Sequence, residues 1–431
     1  MLKKLTLTAI LLSYFVNAHA YCINDALLDA YQNNSKFKSA YANYKQTVVE
    51  AEKGIYQMLP NASISATSNY IDFRQGFEKT NSINFNANYS IPLGGGKVHE
   101  LKASKALKEF AEATLVQAEA ETLLNAALAY IQYIKAYKTY EISTDTLNLM
   151  LKHYDIAQQK SELGKLNKVD LAKAKQQLAA SKADTIKTKN KLSEAEAVYI
   201  HIIGVNPNKS IKPPTNLPPM PLSYNEAVDI AQHNSVSVRI AKSNELLARY
   251  KLYSAKSSVL PTLNLSFNLK QNIDSFKSSG VPPITSSSVM ASLDVPIFQN
   301  GFQGYAQIKQ AKLNSSKAFH NHIEAVSDMK EKVKSNTDGV QINKAFIEAA
   351  EESLSAAQTT RDAVAESYEL QYNTVTDLLK SERDLLSEKL NLLNANTEYF
   401  LSAYRLLSSC GLLTFERLGI VTTNDKTNTN S

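Results

Sequence analysis

The sequence predicts an α+β membrane protein with an internal two-fold repeat, in which long paired helices carry a small set of membrane-spanning strands. Three observations lead there. A long heptad pattern runs near the C-terminus, most of the chain is duplicated, and several segments alternate strictly between apolar residues and Asn or Ser.

The heptads organise the rest. Phe319, Val326, Val333, Val340, Ile347 and Leu354 stand seven residues apart, and no proline occurs between Gly304 and Leu407. After a break at Tyr368 to Thr374 the pattern returns as adjacent pairs, Leu378/Leu379, Leu385/Leu386, Leu392/Leu393, Tyr399/Phe400 and Leu406/Leu407. One apolar seam predicts a helix packed on one partner, and two neighbouring seams predict two partners. At about 1.5 Å per residue the first arm, some 65 residues, reaches roughly 100 Å. A rod of that length has stability only through lateral packing, so it folds back as a hairpin.

At the N-terminus, Lys3 and Lys4, an apolar run from Leu5 to Val16 and Ala18-His19-Ala20 form a secretory signal, residues 1–20, with cleavage before Tyr21. Tyr21 before Cys22 does not fit a lipoprotein cleavage site, although Cys22 itself would still allow a lipid anchor, and no later stretch has the length of an apolar membrane helix. The net charge of +6, from 47 basic and 41 acidic residues, is spread along helices as solvated surface, which argues against a nucleic-acid partner. The two cysteines, Cys22 and Cys410, are a candidate disulfide in an oxidising compartment. The scattered histidines make no metal set and no cofactor is expected.

The duplication fixes the domain plan. The segment from Ile23 resembles that from Tyr224, and the segment from Leu59 resembles that from Leu260, both at an offset of 201. Glu162 onward answers Glu369 onward at an offset of 207, which Gly204 and Gly411 keep. Residues 21–205 are the first copy and 222–420 the second, each a helix, two strands and a long helical hairpin. Residues 206–221, with six prolines, are a stiff linker. Residues 421–431, rich in Thr and Asn, read as a disordered tail.

The strands point to lipid. Ile83, Phe85, Ala87, Tyr89 and Ile91 alternate with Asn84, Asn86, Asn88 and Ser90, and Leu263, Leu265, Phe267 and Leu269 alternate with Asn264, Ser266, Asn268 and Lys270. Residues Asn61 to Tyr70 and Ser288 to Val295 repeat the pattern more weakly. Such strands suit a wall with one face on lipid and one on water, but single-chain barrels begin at about eight strands, and an open edge is not tolerated in lipid. If the four strands span a membrane, several chains share one barrel. With no Trp, an aromatic girdle draws on Tyr70, Phe73, Phe85 and Phe267, and Phe73 to Lys79 and Ile273 to Ser286 are expected as extracellular turns. Gly94-Gly95-Gly96-Lys97 lacks the spacing of a phosphate loop and reads as a flexible exit from strand to helix.

These features together resemble the TolC-type outer-membrane efflux and type I secretion family, from Ile23 to about Leu418. The carriers are the duplicated unit, the strand-ending elements Pro92 to Gly96 and Pro296 to Gly301, and the hairpin turns around Gly164 and Gln371. The resemblance implies a homotrimer in which four strands per chain make a twelve-stranded transmembrane β-barrel in the cell outer membrane, continuous with a long periplasmic α-helical barrel. It implies a periplasmic adaptor and an inner-membrane pump as partners, with outer-membrane lipid around the barrel and no catalysed reaction. Substrates are small molecules or polypeptides.

The resemblance also implies a gate at the hairpin turns. Asp170 and Asp377, each six residues past Gly164 or Gln371, match the family's entrance aspartates, and Tyr368 matches a tyrosine that helps to close it. The sequence departs from the pattern at three places. Asn373 replaces a gating arginine, Gln371 a turn glycine and Lys380 a second acidic residue. Asn lacks the charge-assisted bidentate bond of Arg, so a weaker closed state is expected. From the residues alone, both aspartates also read as helix-start residues, and the heptads also allow a periplasmic adaptor or scaffold. No activated nucleophile, cofactor loop or acid and base cluster supports an enzyme.

Overall fold

A computed structural model describes residues 21–73, 76–207, 211–214, 217–221, 223–273, 285–297, 302–370, 372–415 and 418, with only the backbone of 72–73 and 76–79. The signal segment and the C-terminal tail lie outside the described residues. The elements run α1 (Ile23–Asn33), α2 (Ser35–Tyr56), β1 (Asn61–Phe73), β2 (Gly76–Pro92), α3 (Gly96–Glu162) and α4 (Lys168–Ile203). They continue as α5 (Tyr224–Asn234), α6 (Val236–Ser257), β3 (Thr262–Asn272), β4 (Thr285–Asp294), α7 (Gln303–Glu369) and α8 (Val375–Ser409). The second six repeat the types of the first six in order. Where one short helix was expected before each strand pair there are two. The breaks fall at Asn34 and Ser235, whose extended ψ angles of 117° and 118° interrupt the helix.

Two compact units draw on both halves of the sequence. One holds the chain up to Asn34, Asn125–Pro218 and Lys344–Leu401; the other holds Ser35–Leu124, Pro219–Asn343 and the chain from Ser402.

The second unit contains the sheet, four antiparallel strands in the order β1-β2-β3-β4. Its register sorts the two faces. Ser63, Asn86, Asn268 and Ser288 form one rung and Ala62, Ala87, Phe267 and Val289 the next, so amides and hydroxyls share one face and apolar side chains the other. The polar face is knitted by Thr67 Oγ1 to Ser82 Oγ (3.1 Å) and by Asn84 Nδ2 donating to Thr67 Oγ1 (3.2 Å). The apolar face is bare, with Ile64 75% and Val289 81% exposed. Nothing in the chain pairs with the outer edges of β1 and β4 among the described residues.

The expected turn at Phe73 to Lys79 is shorter than the sequence indicated. Pairing continues to Phe73 opposite Gly76, so strand occupies most of it. The 17 residues of β2 extend about 55 Å at about 3.3 Å each, beyond a hydrocarbon layer of about 30 Å. Its charged end therefore need not follow the apolar alternation. The expected turn at Ile273 to Ser286 falls mostly outside the described residues.

In the same unit α5, α7 and α8 bury Ala227, Ala231, Met329, Val333, Leu406 and Cys410 together. α8 ends in a Schellman turn: Leu412 N–H donates to Leu407 O (2.9 Å), Gly411 N–H to Ser408 O (3.1 Å), and Gly411 has φ +68°. A Cβ on Gly411 would stand 2.2 Å from the Asn234 carbonyl oxygen at the end of α5. In the first unit Gly204 at the end of α4 meets Asn33 of α1 in the same way, its Cβ position 2.6 Å from Asn33 Cβ. Asn33 and Asn234 keep the offset of 201, so the duplication is visible in side-chain packing.

Of the two cysteines, Cys22 belongs to the first unit and Cys410 to the second. Cys22 is the exposed N-cap of α1. Cys410 is buried in the core and its thiol, pushed up to about 11 by burial, faces the Ala227 carbonyl at 3.8 Å. Among the described residues no helix is long and apolar enough to cross a membrane.

Candidate functional site

The two helical turns that join α3 to α4 and α7 to α8 lie in the first unit, where local capping builds each one. After α3, Lys165 N–H donates to Lys160 O (2.8 Å) and Gly164 N–H to Ser161 O (3.0 Å), with Gly164 at φ +69°. This is a Schellman turn in open space, since a Cβ on Gly164 would meet nothing within 4 Å. Asn167 then caps α4, its Oδ1 accepting from Asp170 N–H at 2.7 Å. The α7 turn follows the same plan, with Tyr372 N–H donating to Ser367 O (2.9 Å) and Asn373 N–H reaching the same oxygen (3.3 Å). Gln371 lies outside the described residues.

Thr374 and Asp377 cap α8 reciprocally. Asp377 N–H donates to Thr374 Oγ1 (3.3 Å), while Thr374 N–H and hydroxyl donate to Asp377 Oδ2 (3.0 and 2.7 Å). These hydrogen bonds hold the Asp377 carboxyl below its usual range, and the nearby Lys380 and Lys173 add to the effect.

The two turns also touch one another. Lys160 Nζ donates to the Tyr368 hydroxyl (3.0 Å) and stands 4.5 Å from its ring centroid. Lys173 Nζ donates to Thr376 Oγ1 (3.1 Å), whose hydroxyl reaches Asp170 Oδ1 at 3.5 Å. Beneath these bonds Met150, Ala157, Ala174, Leu178, Val375 and Leu379 form a buried apolar layer with Tyr368 packed on it. Two helical turns away from Lys160, burial and Arg361 hold His153 below its usual value. Burial raises Glu382 against the opposing pull of Arg361, whose Nε lies 3.8 Å from its carboxylate.

Of the residues singled out from the sequence, Asp170 and Tyr368 therefore enter contacts between the two hairpins. Asp377 caps its own helix and stays exposed, Lys380 stands exposed one turn further along α8, and Asn373 contributes its backbone. Sequence reasoning missed Lys160, Lys173, Thr374 and Thr376. The capping pairs had a readable signal, because Asn167 and Thr374 each precede an Asp by three residues at an offset of 207. The lysine partners had none.

The profile of the family described as outer membrane efflux protein matches residues 29–204 and 227–412. The chain belongs to the outer membrane efflux protein family. It is 23% identical over 426 residues to the outer membrane efflux protein BepC of Brucella suis biovar 1 (strain 1330), covering 97% of this chain and 92% of BepC. It is 22% identical over 409 residues to the outer membrane protein TolC of Escherichia coli (strain K12), covering 90% of this chain and 82% of TolC. The CmeC outer membrane channel of Campylobacter jejuni has the same fold, with a TM-score of 0.81 at 17% identity over 91% of this chain and 86% of CmeC. This protein is thus an outer membrane efflux protein, not the adaptor or scaffold that the heptads alone also allow. Its family consists of channel proteins, not enzymes.

Proposed function

We propose that three copies of the chain close their sheets into one twelve-stranded barrel and form the exit duct of a tripartite efflux or type I secretion system. An inner-membrane pump and a periplasmic adaptor deliver small molecules or polypeptides to it, and the duct itself catalyses nothing and needs no cofactor. The observation that carries this reading is the sheet, whose four strands leave two unpaired edges, a bare apolar face and a face of Asn and Ser. Open edges are not tolerated in lipid, and sharing a barrel removes them.

In this reading the hairpin turns surround the periplasmic entrance. Tyr368 with Lys160, and Asp170 with Thr376 and Lys173, hold neighbouring hairpins together when it is closed. Gln371 and Gly164 are the turn positions, and Asn373 stands where it gives no charge-assisted bond. The three Asp377 carboxylates line the mouth as a negative ring that Lys380 partly offsets.

Replacing Asp170 and Asp377 with Ala is expected to lower cation selectivity, read as the reversal potential in an asymmetric salt gradient. An unchanged potential would remove these residues from the entrance. Because Asp377 sits below the ordinary value of 3.8, its share of the selectivity is expected to persist as pH falls to that value. It disappears only below it, when the folded carboxylate takes up its proton.

A further inference from the structure

Where the sheet meets the helices, a cavity of about 890 Å³ is lined by Lys53 and Tyr56 of α2, Tyr89 of β2, Leu265 of β3 and Lys97 of α3. Tyr89 and Leu265 pair across the strands on the apolar face, which Phe267 and Ile91 continue. Lys97 Nζ lies 4.0 Å from the Tyr89 ring centroid, and among the described residues no carboxylate is within ion-pair distance of it. Lys53 shares its charge with Glu50 at 2.7 Å. The cavity therefore joins an uncompensated ammonium and a tyrosine to the end of a hydrocarbon-facing surface.

We propose that this cavity holds the phosphate headgroup of an anionic phospholipid from the periplasmic leaflet of the outer membrane. Lys97 is the main phosphate contact and Lys53 a secondary one, and the acyl chains run along Leu265 and Phe267. The chemistry fits at each end. Tyr and Lys are the side chains that settle at a membrane interface, where an apolar body meets a polar or charged tip. An ammonium held over an aromatic ring and lacking a carboxylate remains available for a phosphate oxygen. A zwitterionic headgroup offers the same phosphate but brings its own cation, so net negative lipids are preferred. The proposal rests on the outer-membrane location of the chain and is independent of how many chains close the barrel.

Native mass spectrometry of the detergent-extracted protein, exchanged into micelles containing phosphatidylglycerol or phosphatidylcholine, counts the lipids retained per chain. Each lysine near an anionic surface is worth about fivefold in binding. Wild type is expected to retain phosphatidylglycerol over phosphatidylcholine, Lys97→Gln to lose about fivefold of that retention, and Lys97→Arg to keep it. Lys53→Gln is expected to lose less, because Glu50 already shares its charge. Equal retention of the two lipids by wild type overturns the proposal without reference to any variant, as does unchanged phosphatidylglycerol retention in Lys97→Gln. Displacement of the lipid by inorganic phosphate alone would also overturn it, assigning the cavity to a free anion.

Discussion

Gly411→Ala is expected to destabilise the channel by roughly 3 kcal/mol or more, while Gly164→Ala costs about 1 to 2 kcal/mol. The two glycines have nearly the same backbone angle, φ +68° and +69°, so the left-handed conformation penalises a side chain equally at both. They differ in what a Cβ would meet. At Gly411 it falls 2.2 Å from a backbone oxygen of Asn234, which cannot swing aside as a flexible side chain would; at Gly164 it meets open space. Moving that backbone disturbs the buried layer of Ala227, Ala231, Leu406 and Cys410. Apparent unfolding temperature in detergent, with wild type alongside, reads both changes. Equal shifts would mean that the close approach of α8 to α5 contributes nothing to stability.

Lys160→Ala is expected to raise the open fraction of the channel on the order of a hundredfold in single-channel recordings. The substitution removes the hydrogen bond to the Tyr368 hydroxyl and the ammonium over its ring. Together these are worth roughly 1 kcal/mol per chain at a partly exposed site. Three chains acting on one gate make that about 3 kcal/mol, and every 1.4 kcal/mol is about tenfold. Tyr368→Phe, which keeps the ring and loses only the hydroxyl, is expected to give an intermediate increase. Closed-channel behaviour unchanged in both variants would show that this pair does not hold the entrance.

The long helices were legible because a heptad repeat reports packing directly. Val333, Leu378, Leu379, Leu385, Leu406 and Leu407, all read as seam positions, are buried in the single chain. Phe319, read from the same seam, is 48% exposed in the single chain. The break before Thr374 was equally plain, since the seam shifts there and α8 begins at Val375. The strands were legible where alternation is enforced by lipid on one side and water on the other. It failed at residues 76–79, where Gly, Phe, Glu and Lys occupy a strand end that carries no such constraint.

Other features had no sequence signal. The break between α1 and α2 depends on a single extended residue, Asn34, whose side chain donates to the Ile202 carbonyl 168 positions away. The pairing of Lys160 with Tyr368 likewise joins residues 208 apart, and neither belongs to a local motif. The buried setting of Cys410 was hidden for a similar reason, because it is α5, distant in sequence, that covers the thiol. Long-range polar contacts of this kind follow from the fold and become readable only once it is known.

The sharing of one barrel by three chains is tested most directly by the molar mass of the detergent-extracted protein, measured by light scattering with correction for bound detergent. A mass near three chains is the predicted result, because in a closed twelve-stranded barrel the edges of β1 and β4 each meet a neighbour. A single chain that stays soluble without detergent would contradict it, leaving the sheet with open edges and no membrane to span.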